Sequence, residues 1–438
     1  MSRISTEDSN LKTGSLKGAV IDSQTGAAIV SASIIILGTT RGAVSDSVGQ
    51  FRLSDLPVGS YTVAVSCVGY ESLTKTDIII RAGRTTVLDA KMLARPTQIK
   101  GIKVSAGYFP DSPVQPTSTT NFSFEEIHRS PGSAGDISRV IFGLPSIAKV
   151  NDLINNLIVR GGNPKENAVY IDNIEYPNIN HFPLFGTTGG PIGMINIDLI
   201  NEVNFSAGGC SAALGDCLSS VMQLDFREGN RDEVDMQADL NIAGYGLVGE
   251  GPIAGGRGSW LFSGRLSFLD LVADLMNETV VPRYSDYQGK MVLDLSPRHR
   301  ISLIGIWGDD YVNFEGYDNF RGVYVSEGWV DCFQFGSGLT WRYLWSRNGY
   351  SNNSASYSSN KTTNEFQRSG GETERINEKI SGERVKLRNV NFLRISSHHE
   401  FEAGFELKYL LNDYNLAYFR YFDFFGRPMP PFALKRRF

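Results

Sequence analysis

The sequence predicts a mainly β chain of several domains: a small β-sandwich, a compact α+β unit, and part of a long antiparallel sheet with one apolar and one wet face. Three observations carry this. Apolar residues recur at every second position in several stretches beyond residue 231. Glycine (46 residues) and aromatics (11%, with 25 Phe and 18 Tyr) stand at levels expected of many strands joined by tight turns. At 438 residues the chain is also longer than one ordinary core accommodates.

Charge and composition exclude several classes. With 42 basic and 47 acidic side chains and a net charge of −5, a nucleic-acid partner bound through a basic excess is excluded. No run approaches the roughly 18 apolar residues of a spanning helix; the longest aliphatic pieces resemble Ile34 to Leu37. A transmembrane β-barrel stays open, because its alternating faces leave mean hydropathy near neutral. The start, MSRISTEDSNLKTGS, lacks a basic-then-apolar leader, so an exported form is expected to have lost one. Cys67, Cys210, Cys217 and Cys332 show no metal-ligand spacing, and the five histidines never fall at HxxE or HExxH spacing. No metal and no cofactor is expected. Cys210 and Cys217 are close enough for a disulfide in an oxidising compartment, with two small buried thiols as the plainer reading.

The elements follow in chain order. Residues 1–15 read as a disordered N-terminus. Residues 16–95 hold short strands, LKGAVID, ASIIIL, GQFRLSDL, GSYTVAVSCVGY, DIIIRAG and TTVLDAKM, separated by TG, LPVG and AGR turns. That is a small sandwich. Residues 96–120, with prolines at 96, 110, 113 and 116, read as an extended linker. Inside it, Gly101-Ile102-Lys103-Val104-Ser105-Ala106 is a β-prone island of the kind that adds as a strand to another protein's sheet edge. A spacer or a last sandwich strand is the plain alternative.

Residues 121–231 mix helix and strand. Ser133 and Asp136 are placed to cap a short amphipathic helix in SAGDISRVIFG that ends at Gly143. Strands follow in NLIVRGG, AVYIDNI, EVNFSAGG and SSVMQLDF. From 232 to 438 the period becomes two. Val234, Met236, Ala238, Leu240 and Ile242 alternate with polar residues; so do Phe333, Phe335, Leu339, Trp341, Tyr343 and Trp345, and again Phe401, Phe405, Leu407 and Tyr409. Further strands are expected in 259–268, 287–296, 299–308, 384–396 and 416–422, eight or nine in all. The polar stretch Ser351 to Glu383 reads as a long loop of the outer-membrane kind.

Two sets of motifs resemble known families. GAVIDSQTGAAIVSASIIILGTTRGAVSDSVGQFRLSDLPVGSYTVAVSCVGY resembles the carboxypeptidase regulatory-like (transthyretin-like) domain, a non-catalytic module, with Ala27-Ala28 in place of the usual Pro after the TG turn. DISRVIFGLPSI, then IVRGGNPKENAVYIDNIEYPNINHFPLFG, then GPIGMINIDLINEVNFSAGGCSAALGDCLSSVMQLDFREGN resemble the plug of TonB-dependent outer-membrane receptors. The resemblance is to the Bacteroidetes-type receptors that carry the regulatory-like sandwich in front.

The resemblance implies an outer-membrane importer of a Gram-negative bacterium, whose plug blocks a barrel embedded in outer-membrane lipid. It implies Gly101 to Ala106 as the box that recruits TonB with its ExbB/ExbD motor, although Lys103 departs from the usual apolar run. It implies Arg160-Gly161-Gly162 as a structural plug turn, with the glycines at positive φ, Arg160 paired to a carboxylate of the barrel wall, and Val169 to Asp172 as the next strand. Asn178 to Gly186, with His181, Phe182 and Phe185, matches the apical loop that faces incoming ligand. That ligand is a nutrient, whether glycan, peptide, siderophore or metal chelate, and a surface lipoprotein is a possible further partner.

Other signals are weak. Gly244 to Gly249 spells GxGxxG, but no helix follows to receive a pyrophosphate, and a hairpin turn accounts for the glycines. Asp225, Asp309 and Asp310 read as solvated acids near strand ends. No GxSxG elbow or zinc pattern marks an enzyme. Because 207 residues supply too few strands to surround a plug, the chain is expected to lack its leader and the C-terminal part of its barrel. RPMPPFALKRRF, broken by three prolines, does not read as a strand. A surface β-sandwich protein for adhesion or carbohydrate binding is the rival reading.

Overall fold

The structure is a computed structural model that describes residues 13–23, 25–80, 85–94, 119–130, 133, 135–149, 154–184, 186–208, 211–240, 244–268, 280–318, 325–346, 348–369, 374–396, 399–419, 421–422 and 427–438. The expected box, Gly101 to Ala106, lies outside the described residues, as do Phe185 and Cys210. No described helix is long and apolar enough to cross a membrane.

The sandwich comprises β1 (Thr13–Asp22), β2 (Ser33–Ile36), β3 (Gly42–Val44), β4 (Gln50–Pro57), β5 (Gly59–Ser66), β6 (Leu73–Ile80), β7 (Thr85–Val87) and β8 (Ala90–Met92). One sheet runs β4-β1-β7 with β8 also on β1, and the other runs β3-β2-β5-β6. Alternate residues Leu16, Val20, Ile34, Ile36, Val63 and Val65 fill a core of the sandwich's own.

The α+β unit opens with β9 (Thr119–Ser123), α1 (Phe124–Arg129) and α2 (Ile137–Ile141), then β10 (Ile147–Ala148), β11 (Ile158–Val159), β12 (Asn167–Ile171) and β13 (Ile174–Glu175). It closes with β14 (Asn180–His181), β15 (Ile192–Gly193), β16 (Ile200–Ala207) and β17 (Ser220–Phe226). Its sheet order is β13-β12-β17-β16-β9. The helix expected from Ser133 onward is shorter: α2 has five residues, and Asp136 is its N-cap, accepting from Ser138 N. Helix α1, not expected, is set by a capping box in Ser123-Phe124-Glu125-Glu126. There Ser123 N donates to Glu126 Oε2 at 2.7 Å, and Glu126 N donates back to Ser123 Oγ.

Beyond this unit ten strands form one antiparallel sheet: β18 (Asp235–Leu240), β19 (Gly244–Ile253), β20 (Gly258–Ser267), β21 (Val280–Ser296), β22 (His299–Asp318), β23 (Val325–Ser346), β24 (Gly349–Ser369), β25 (Glu374–Ser396), β26 (His399–Phe419) and, after β27 (Tyr421–Phe422) and β28 (Pro428–Met429), β29 (Phe432–Arg437). They follow in chain order from β18 to β26 and then β29. The described first and last strands do not pair, so the barrel is not closed.

Three expectations are corrected here. Ser351 to Glu383 is not one long loop: β24 pairs along its length with β23 and β25, because neighbours on both sides supply partners to a backbone whose Ser, Asn and Thr side chains carry no hydrophobic period. Gly244 to Gly249 is strand, not turn, and Gly249 and Gly251 leave room for the Trp260 indole. Phe432–Arg437 pairs with β26 once the three prolines are past.

The sheet is apolar outside and charged within. Along β25, Val385 and Leu387 are 44% and 46% exposed, whereas Lys386 and Arg388, which alternate with them, are 3% and 7% exposed. The same order holds on β26, where Phe401, Phe405, Leu407 and Tyr409 are exposed, and on β23, where Leu339, Trp341 and Trp345 face out and Gln334 is buried. The buried face wraps the α+β unit, and one apolar core runs from Ile171, Phe205 and Leu224 to Ile304 and Ile306 of the sheet. The α+β unit is therefore a plug against the wall of an open barrel.

Candidate functional site: the plug and wall interface

The turn at Arg160-Gly161-Gly162 sits between β11 and a short 3-10 turn, Pro164–Glu166. Arg160 itself has φ +50° and Gly161 has φ +80°. Gly162 serves differently: a Cβ there would lie 1.9 Å from Ser219 Oγ and 2.9 Å from Glu166 Oε2. That space lets Ser219 Oγ donate to Glu166 at 2.5 Å while Glu166 also caps Asn163 N. The expected partner of Arg160 is corrected: it is exposed, makes no ion pair among the described residues, and lies over Gly208. Asp172 is likewise not in the strand. Asp172 (φ +47°) and Asn173 (φ +71°) form the two-residue turn between β12 and β13, as a primed hairpin turn requires. Asp172 Oδ1 accepts from Lys290 Nζ of the wall at 2.9 Å.

Two ionic contacts of opposite sign hold the plug. In the first, the fully buried His181 lies between wall carboxylates on adjacent strands: Nδ1 is 2.6 Å from Asp310 Oδ1 and Nε2 is 3.1 Å from Asp286 Oδ2. Phe182 N donates to Asp310 Oδ2 at 2.6 Å, and the Tyr284 ring lies 4.4 Å from the imidazole. Burial opposes charge on His181, but Asp310 and Asp286 outweigh it and hold its pKa above the usual value. Arg265 Nη2, 2.9 Å from Asp286, completes the chain of charges. Asp310 is thus buried and paired, not solvated as expected; folding brings His181 to it from 129 positions away. Asp225 is paired too, 3.6 Å from Lys91 of the sandwich.

In the second contact the plug supplies the acid. Glu175 receives Arg384 Nη1 at 2.6 Å, Lys386 Nζ at 2.8 Å and Lys408 Nζ at 2.8 Å. Burial pushes its pKa up, but these cations prevail and hold it below the usual carboxylate range. Lys386 and Arg388 also lie against the Tyr170 ring, at 4.9 and 5.7 Å from its centroid.

Between them the wall is notched. A Cβ at Gly336 would stand 2.3 Å from the Tyr176 ring, and one at Gly338 would stand 1.9 Å from Ile174 Cδ1. The plug hairpin sits in that notch. Gln334, two positions away and also facing inward, donates to Asn180 O at 2.6 Å.

The loop expected to face ligand is turned inward at its first half. Asn178 is buried and donates to Gly189 O at 2.9 Å and Thr187 O at 3.0 Å, which closes the loop on itself. His181 is inaccessible, and Phe182, half-buried at φ +50°, carries the backbone around Asp310. Exposed positions in this loop are Leu184 and Gly186. Cys217 is disulfide-bonded, whereas Cys67 and Cys332 are free thiols, so the two-thiol reading of Cys210 and Cys217 is corrected for Cys217. Among the described residues no group of three His, Cys, Asp or Glu side chains converges as a metal would need.

Comparisons with known proteins give three findings. Residues 15–93 match the carboxypeptidase regulatory-like domain. The TonB-dependent transporter Oar of Myxococcus xanthus is 24% identical over 225 residues, 49% of this chain and 20% of the relative. Among solved structures, the siderophore receptor PirA from Acinetobacter baumannii is similar at 10% identity and TM-score 0.44, over 69% of this chain and 59% of that one. A mutant ferric enterobactin receptor, PfeA from Pseudomonas aeruginosa, solved with enterobactin, is similar at 11% identity and TM-score 0.43, over 69% and 60%. The chain thus spans 20% of its curated relative's length and 59% and 60% of these two solved chains. The named relatives are transporters and receptors, not enzymes.

Proposed function

We propose that this chain carries the sandwich, plug and wall strands of a TonB-dependent outer-membrane importer of a nutrient ligand. One observation carries the reading: a sheet that exposes Val385, Leu387, Phe405 and Leu407 and buries Lys386 and Arg388 is inverted relative to a water-soluble sheet. In hydrocarbon the arrangement is favourable, with apolar residues toward lipid and charges toward the plug and lumen. Strands of 17 to 23 residues in β21 to β26 exceed the roughly 9–11 needed to cross a bilayer.

The plug fills the space inside the wall and blocks passage. Strand β9 follows the linker that holds Gly101 to Ala106, and it is the edge strand of the plug sheet, paired only with β16 among the described strands. A pull on the linker by TonB, energised by ExbB/ExbD, enters the plug at Thr119 and loads this edge pairing first. The ligand classes compatible with the reading are glycan, peptide, siderophore and metal chelate, and a surface lipoprotein is compatible as a lid. Membrane fractionation tests the reading: the protein is expected in the outer membrane, resistant to alkaline extraction. Recovery in the aqueous fraction would contradict it.

A further inference from the structure

The sandwich has a core separate from that of the plug and wall, and no residue belongs to both. Among the described residues, ionic and polar contacts join the two bodies. Lys17 Nζ meets Asp232 Oδ2 at 2.7 Å and Asn230 Oδ1 at 2.8 Å, and Arg52 reaches the same carboxylate at 3.3 Å. Thr85 Oγ1 donates to Glu233 at 3.2 Å, and Lys91 Nζ meets Glu202 Oε1 at 3.2 Å and Asp225 Oδ2 at 3.6 Å. One contact has the reverse sign, Arg394 of the wall with Asp22 at 3.7 Å. The joint is incompletely filled: a cleft of about 1070 Å³ remains between the sandwich and the wall turns near Arg257 and Arg298.

The position of this joint matters. Along the chain two residues separate β21 from β22, β23 from β24 and β25 from β26, whereas six separate β22 from β23 and four separate β24 from β25. In outer-membrane barrels the short turns face the periplasm. The sandwich sits at that end, across the plug. Glu202, which Lys91 holds, is also the residue of β16 that pairs with Ser123 of β9. One plug strand therefore carries both the sandwich and the edge strand that follows the linker.

We infer that the sandwich is a releasable second closure of the pore: docked, it braces β16 and β9 of the plug, and its ionic contacts must open before the plug is remodelled. The inference rests on the importer reading for its meaning, but the docking is measurable without transport. These ion pairs range from half-exposed, Arg52 with Asp232, to largely buried, Arg394 with Asp22; the exposed ones contribute little each and are screened by salt, so the joint holds at rest and yields to modest force. A polar interface of this kind is where domains move relative to each other.

The test uses the whole chain in detergent, with a carbodiimide that joins amines to touching carboxylates, and with hydrogen exchange read on β9 and β16. Raising NaCl from about 50 mM to about 500 mM is expected to lower the Lys17–Asp232 and Lys91–Glu202 cross-links about fivefold and to speed exchange in β9, while β22 and β23 stay unchanged. Lys91→Glu at low salt is expected to do the same, and adding Glu202→Lys to restore docking. Cross-links that persist at high salt, or that vanish while exchange in β9 stays the same, would overturn the inference. Neither result depends on membrane location, so a failure here leaves the importer reading standing, and fractionation decides that reading separately.

Discussion

His181 of the plug and Asp310 of the wall stand 2.6 Å apart, both fully buried. This pair, with Asp286 on the other side of the ring, ties a plug loop to β21 and β22. A buried charge that loses one partner costs about 3–5 kcal/mol, far more than an exposed pair. His181→Ala is therefore expected to loosen the plug by roughly that amount. Hydrogen exchange in β14 and β15 measures it, and unchanged protection would contradict the latch.

The same latch has a pH sign. The folded pKa of His181 is raised above the unfolded value of about 6.5. Its contribution is present in full below about pH 6.5 and is lost as pH rises through the raised value. Plug protection in β14 is expected to fall over that window and to be flat in His181→Gln. Protection that rises with pH would reverse the assignment.

Glu175 titrates in the opposite sense. Its pKa is lowered by Arg384, Lys386 and Lys408, so its contribution holds above the unfolded value of about 4.3 and is lost as pH falls through the lowered value. Glu175→Gln leaves three cations without their shared partner. It is expected to cost about 3–5 kcal/mol in plug docking, read as exchange in β12 and β13.

The glycine notch makes a steric prediction. Gly338→Val places a side chain where Ile174 Cδ1 already lies, at an expected cost of about 1–3 kcal/mol, and Ile174→Ala in the same molecule is expected to recover part of it. Thermal unfolding in detergent compares the single and double variants. Equal losses in both would show that the notch does not seat the hairpin.

Removing residues 101–106 is expected to abolish uptake of a nutrient while leaving its binding to cells intact. Uptake at the level of the intact chain would refute the box.

Much of the fold is legible in local patterns. Alternation in Val234 to Ile242, Phe333 to Trp345 and Phe401 to Tyr409 marks strands with two unlike faces, an exposed apolar one and an inner one that packs on the plug. The Ser123 to Glu126 cap is equally local and readable as S-x-x-E. Strand β24 is not legible that way, since Ser, Asn and Thr give no period and the strand exists because β23 and β25 flank it. The site is the least legible part. His181 reads as a lone histidine beside Phe182, Asp310 reads as a solvated acid, and Asp286 belongs to no motif; only folding shows that wall and plug pair their charges across more than a hundred positions.

Everything rests on which face of the wall meets lipid, and one measurement addresses that directly. With Cys67 and Cys332 replaced by Ser, single cysteines at Phe405, Glu406, Leu407 and Lys408 are spin-labelled in outer-membrane vesicles and exposed to oxygen and to a water-soluble nickel chelate. Oxygen contact is expected to be highest at 405 and 407 and lowest at 406 and 408. A greater nickel than oxygen effect at 405 and 407 would show that face to be in water, and the importer account would not survive it.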